Sequence, residues 1–231
     1  MVGGATFQKL SDAECTVAIT DWLYDQIRSE YPTLKPQQVI MARPGVDTEK
    51  WKPREALLER KGDTFRVVTV GCSHSSKGHD TLIKSIKLLV DEGRKINLRI
   101  IGSGSAKDSL MSLIEELEIT DFLTLEGSLS EDQIISIMHE SDIFVLASHA
   151  ELLGVVYMES MSIGVPTIGT SAGGVPEIIT HQEDGLLVPP KDEISLKEEI
   201  GHLMDDPKLR QMLSSNGRKK IVEQWLFRIC G

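Results

Sequence analysis

From about residue 65 onward, short continuous apolar runs alternate with stretches whose apolar residues recur at helical spacing. Runs at 65–70, 96–101, 122–125, 143–146, 166–168 and 185–188 read as buried strands, bounded by glycine or polar residues. Between them, 77–91 sets Leu82, Ile83, Ile86, Leu89 and Val90 on a helical face, and the helix after Gly104 uses Leu110, Leu113, Ile114 and Leu117. Ser130 ahead of Glu131 and Asp132 predicts a capped helix start. Further helices are predicted at 154–163, at 174–177 with Pro176 in its first turn, and in two polar segments at 192–205 and 207–225. Continuous apolar strands alternating with helices predict an α/β fold, a doubly wound, Rossmann-like parallel sheet covered on both faces, over about 60–205. Ligands of such sheets lie beyond the carboxyl ends of the strands. The loops at 71–77, 102–106, 127–130, 148–154 and 170–175 therefore form the expected binding edge.

The first 60 residues follow a different pattern: a strand at 15–20, a helix at 21–28, a strand at 38–42, then Pro44-Gly45 and a segment ending at Lys52-Pro53. This reads as a short α/β unit followed by a linker, the tail of something larger. The expected division is 1–43 for that unit, 44–60 for a connector, 61–205 for the Rossmann-like domain and 206–231 for a C-terminal helix.

Composition narrows the function. The net charge of −10, from 25 basic and 35 acidic residues, disfavours nonspecific binding to nucleic acid, so no nucleic-acid partner is expected. An aromatic content of 5% argues against a binder built on stacking platforms. Cys15, Cys72 and Cys230 form no Cys-x-x-Cys pair, which fits neither a zinc ribbon nor a disulfide framework and suits a reducing compartment. The start, Met1-Val2-Gly3-Gly4, lacks a basic stretch followed by an apolar one. No apolar run approaches the roughly 18 residues of a membrane span, and a cytoplasmic location is expected.

The most informative stretch runs from Glu151 through Gly154 and Glu159 to Gly164-Val165-Pro166. A helix starting near Gly154 at the carboxyl edge of a parallel sheet offers free N–H groups and a positive dipole end, a site suited to a diphosphate. Glycine there would let phosphates approach the main chain. Glu151 before the turn and Glu159 on the helix could bracket an elongated ligand by accepting hydrogen bonds from hydroxyls at its two ends. From these residues alone, both glutamates could equally be solvated charges.

Other segments decide between the two readings. Glu151-x7-Glu159 followed by Gly164-Val165-Pro166 resembles the donor-site signature of glycosyltransferase family 4, whose members have the two-domain GT-B fold. Pro44-Gly45-Val46-Asp47 resembles that family's interdomain connector, Val70-Gly71 through Lys77-Gly78 its first donor loop, and Gly102-Ser103-Gly104 its second. Gly127 to Ser130, Ser141-Asp142-Ile143-Phe144-Val145-Leu146, Gly173-Gly174-Val175-Pro176-Glu177 and Asp184-Gly185-Leu186-Leu187-Val188-Pro189 match in order and approximate spacing. The resemblance implies retaining transfer of a sugar from a nucleoside-diphosphate sugar to an acceptor glycan or lipid-linked sugar, in polysaccharide, lipopolysaccharide or glycolipid synthesis, with no cofactor or metal. It further implies that Lys77 and Gly71 serve the donor diphosphate together with main-chain groups of Gly154, Val155 and Val156. Glu151 would act catalytically beside the donor sugar, Glu159 would bind the ribose, and Ser128 and Leu129 would border the base.

Two departures stand out. Where the family has an arginine after the first strand, this chain has Cys72, here read as a small buried residue at a strand end, and Arg94 and Arg99 are cations available in sequence to replace it. The aromatic that commonly flanks the glycine of the acidic loop is replaced in Leu152-Leu153-Gly154-Val155, which leaves donor-sugar selectivity open. His74 and His79 lack a third metal ligand at motif spacing, Ser160 lies in no nucleophile elbow, and His149 reads as a structural or exposed loop residue. In the family, the acceptor site and any peripheral membrane association belong to an N-terminal domain much longer than the 43 residues that precede Pro44 here. The expectation is donor binding with little or no transfer by this chain alone. The alternative is a noncatalytic or degenerate nucleotide-sugar-binding module.

Overall fold

The computed structural model describes residues 13–53 and 62–226. The first residues of the chain, connector residues 54–60, Phe227 and Cys230 lie outside the described residues. Strands β1 (Thr16–Ala18) and β2 (Val39–Met41) pair in parallel around helix α1 (Asp21–Glu30). The main body is a six-stranded, all-parallel sheet in the order β5-β4-β3-β6-β7-β8. Its strands are β3 (Phe65–Val70), β4 (Ile96–Ile101), β5 (Leu123–Gly127), β6 (Ile143–Val145), β7 (Thr167–Thr170) and β8 (Leu186–Val188). The connecting helices are α2 (His79–Asp91), α3 (Lys107–Glu116), α4 (Glu131–Glu140), α5 (Val155–Ile163) and α6 (Val175–Ile178). Helices α7 (Glu193–Asp205) and α8 (Pro207–Gln224) complete the chain. This is the doubly wound α/β sheet that the alternating pattern predicts.

Period-two geometry explains why the strand runs are apolar on both sides. Phe65, Val67, Ile143 and Val145 point into one core with Leu82 and Ile86 of α2 and Leu196 and Ile200 of α7. Val68 and Phe144, one residue out of phase, face the other core with Met138 of α4, Tyr157 and Met161 of α5 and Ile221 of α8. Helix α5 is enclosed, with Tyr157, Met158 and the run from Ser160 to Ile163 buried. Its buried serine hydroxyls are paired: Ser160 Oγ lies 2.9 Å from Thr167 Oγ1, and Ser162 donates to the Trp51 carbonyl at 2.6 Å.

Several elements begin or end a few residues from their predicted limits. Lys77 closes a 3-10 turn, Ser75–Lys77, and α2 starts only after Gly78, whose φ of +64° interrupts the helical run. Strand β5 extends to Gly127, because its ladder with β4 continues past an irregularity at Ile100/Ile101. Cys72 is exposed, not buried, since it falls beyond the last β3 residue in the turn.

Candidate functional site

Strand order places the site. The chain winds outward from β3 to β5, then returns to β6 beside β3 and winds the other way, so loops leaving β3 and β6 diverge at the sheet's switch point. There Lys77, from the loop after β3, meets Glu151, from the loop after β6: Nζ and Oε2 are 2.6 Å apart, with the side chains 22% and 11% exposed. Ser148 donates to the same Oε2 at 3.3 Å. The two loops are also joined through the backbone, His149 N–H donating to the Ser76 carbonyl at 2.7 Å. His149 is half-buried, with Nε2 3.0 Å from Thr81 Oγ1, so it braces the loop against α2.

Gly154 turns the chain from this loop into α5 with φ +83°, a conformation that L side chains rarely adopt. A Cβ at 154 would lie 2.5 Å from the Tyr157 ring, which occupies the space beneath the turn. Tyr157 is fully buried, its hydroxyl donating to the Leu146 carbonyl at 2.8 Å, and burial drives its ionisation well above the ordinary phenol value. The N–H groups of Val155 and Val156 therefore stand in the first turn of α5, where a helix has no acceptors of its own. Val155 is exposed, and Gly71 lies at the end of β3 on the same edge.

The next loop fixes the Glu151 turn from behind. Gly174 N–H donates to the Glu151 carbonyl at 3.2 Å, and at Gly173, φ +57°, a Cβ would fall 1.8 Å from that carbonyl oxygen. Glu159 stands further along α5, half-buried. Desolvation, and secondarily the charge of Glu131, push its carboxyl up to about 7. Such a carboxyl is neutral or charged according to what approaches it. Ser128 and Leu129 follow β5: Ser128 Oγ donates to Ser103 Oγ at 2.9 Å, which ties that loop to the one after β4, and Leu129 packs against the α5 core.

The remaining candidates have other partners. Arg94 pairs with Asp205 and Arg99 with Glu126, so both of these cations are already engaged. His74 Nδ1 bonds Ser76 Oγ at 3.0 Å, and His79 is buried beneath the first loop, where desolvation lowers its imidazole below the ordinary value. One residue with a clear role was missed: Glu177. Its carboxylate accepts from Asp21 N–H at 2.9 Å and Trp22 N–H at 2.8 Å, capping α1. It belongs to a recognisable motif, but its partners are 155 and 156 residues away in sequence and no local signal marks them.

A switch-point cation–carboxylate pair beside an open helix N-terminus, with a half-buried carboxylate further along the same helix, is an arrangement that can hold an anion and hydroxyls. Comparison with known proteins gives the same direction. The family model for glycosyl transferases group 1 matches residues 49–220. The GDP-mannose-dependent monoacylated alpha-(1-6)-phosphatidylinositol monomannoside mannosyltransferase of Corynebacterium glutamicum is 29% identical over 202 residues, covering 81% of this chain and 52% of that protein. The chain thus spans about half the length of the curated relatives it matches. Among solved structures, Anabaena HepE in complex with UDP-glucose superposes with a TM-score of 0.87 at 17% identity, over 96% of this chain and 63% of that one. The C-terminal domain of the glycosyl transferase group 1 protein LpcC from Francisella tularensis gives 0.70 at 24% identity, over 80% of this chain and all of that one. The fold is that of the C-terminal half of the two-domain GT-B architecture, and the chain belongs to the group 1 glycosyl transferase family.

Proposed function

We propose that this chain is the donor-binding portion of a retaining glycosyltransferase, which moves a sugar from a nucleoside-diphosphate sugar to an acceptor hydroxyl in polysaccharide, lipopolysaccharide or glycolipid synthesis. The observation that carries the reading is the Lys77–Glu151 pair at the switch point, next to the first turn of α5. Lys77 holds the diphosphate together with the N–H groups of Val155 and Val156, which stabilise negative charge as the diphosphate leaves. The lysine ammonium has three donors, so it can keep Glu151 while bonding a phosphate oxygen. Glu151 faces the sugar and offsets positive charge developing at the anomeric carbon. Glu159 accepts from the ribose hydroxyls, and Ser128 and Leu129 border the base. No metal or cofactor takes part.

In this reading the acceptor and any peripheral membrane contact fall to the N-terminal domain of the family's two-domain fold, and the reaction is assigned to the cytoplasm. The domain limits given above, with the connector at 44–60, are part of this proposal. The relatives' names support the donor class: one uses GDP-mannose, and a structural neighbour binds UDP-glucose.

Calorimetric titration with UDP and GDP tests the site. One of the two binds the wild type, and Lys77→Ala weakens it roughly ten- to a hundred-fold through loss of charge-assisted hydrogen bonds. Glu159→Ala weakens it as well. Unchanged binding after both substitutions would put the site elsewhere. The second reading, a noncatalytic module, is favoured by one feature: Cys72 stands where the family has a phosphate-binding arginine. It expects no binding by the wild type.

A further inference from the structure

Beside the Glu151 turn lies a cavity of about 280 Å³. It opens between the start of α1 and the loops after β6, β7 and β8, lined by Trp22, Leu152, Ala172 and Pro190 together with His149 and Glu151. Trp22 is 40% and Leu152 50% exposed, so large apolar surfaces stand open beside a carboxylate. The cavity lies at the lower bound of about 300 Å³ for small-molecule pockets, room for one ring and not for a whole nucleotide sugar.

Both walls are fixed by one short loop. Glu177 receives the Asp21 and Trp22 N–H groups on its two carboxylate oxygens, and Arg43 pairs with Asp21 and lies 4.0 Å from Glu177. A few residues earlier, Gly173 and Gly174 pack on the Glu151 carbonyl. The segment from Gly173 to Glu177 therefore sets the distance between Trp22 and Glu151. A pyranose has apolar C–H faces and a hydroxyl rim. An indole wall with a carboxylate and an imidazole at the edge complements that pattern.

We propose that Trp22, clamped by Glu177, is a specificity-determining residue that receives the C–H face of the donor's hexopyranose ring, with Glu151 and His149 at its hydroxyl rim. This deepens the donor-site reading and rests on it. Trp51 and Trp225 are 4% and 6% exposed, so ligand-dependent tryptophan emission reports Trp22. The full chain is titrated with UDP, UDP-glucose, GDP and GDP-mannose, and with methyl α-glucoside and methyl α-mannoside as nucleotide-free probes.

Emission should change with a sugar-bearing ligand and not with the nucleotide alone. Trp22→Ala should weaken the matching nucleotide sugar by about ten-fold while leaving the bare nucleotide within about two-fold, and Trp22→Phe should restore most of the loss. Glu177→Ala should reproduce Trp22→Ala and Glu177→Gln should fall between. Emission indifferent to every sugar-bearing ligand overturns the proposal, as does an equal loss of UDP and UDP-glucose affinity in Trp22→Ala. Lys77-dependent nucleotide binding without a sugar-dependent signal refutes the Trp22 subsite and leaves the donor site standing. A Trp22 sugar signal with nucleotide binding indifferent to Lys77 and Glu159 does the reverse.

Discussion

At Glu159, burial acts against the proposed ribose-binding role. In the free protein its carboxyl is pushed up to about 7, first by desolvation and then by Glu131. Between the ordinary glutamate value and about 7 the folded chain holds a proton that the unfolded chain has released, so this group makes stability fall as pH rises through that window. In the proposed role, ribose hydroxyls would donate best to the charged form, so donor affinity should move the other way. It should climb by at most about ten-fold per pH unit up to about pH 7 and then level off. A nucleotide sugar is the ligand to titrate, since its diphosphate has no terminal phosphate ionising near pH ~6. Glu159→Gln should flatten both the affinity curve and the matching step in melting temperature, and a step that survives the substitution belongs to another group. Cys72 makes a second residue-scale test. It is exposed at the end of β3, and neither Arg94 nor Arg99 is free to replace the missing cation. Cys72→Arg should tighten diphosphate binding by about ten-fold, measured by calorimetry, and an unchanged affinity would separate this position from the phosphates.

Among the elements, α8 does more than its polar sequence suggests. Arg218 donates to the carbonyls of Ser162 at 2.6 Å, Trp51 at 3.2 Å and Thr48 at 3.3 Å, tying α5, the connector and α8 together. Val46 N–H donates to the Trp225 carbonyl at 2.8 Å, so the connector is also laced to the end of that helix. Replacing Arg218 by methionine keeps much of the volume but removes the guanidinium donor from the Ser162 and Thr48 carbonyls, the Trp51 carbonyl keeping the Ser162 hydroxyl, for a loss of about 2–3 kcal/mol in urea unfolding. The hydrophobic pattern of α8 could not show this, because the partners lie far away in sequence and are main-chain carbonyls together with the Ser162 hydroxyl. The pattern did locate α2, α4 and α5 to within a few residues, since α2 has a continuous apolar face, Ser130 caps α4, and glycines bound α5 at both ends.

On the scale of the whole molecule, stability is uneven. The large sheet is covered on both faces, whereas β1 and β2 form a two-stranded parallel pair with Val17 and Ile40 exposed. Two strands are marginal by themselves, and this pair is held mainly by α1 and the Glu177 cap. Amides of β1 and β2 should exchange with solvent orders of magnitude faster than those of β3 and β6, as read by hydrogen exchange with mass spectrometry. Equal protection would mean that the first unit folds as one with the large sheet.

Strand and helix periodicities are local properties of the chain, so the class of fold, the parallel sheet and the loops at its carboxyl edge are legible in the amino-acid pattern. The sequence also marked Lys77, Glu151, Gly154 and Glu159 through ordered motifs. Only the tertiary structure decided that Lys77 and Glu151 touch, that Cys72 is exposed, that Arg94 and Arg99 are engaged elsewhere, and that Glu177 caps α1 beneath Trp22. Those facts depend on strand order and on contacts between residues 74 to 156 positions apart in three of the pairs, where no local pattern reaches.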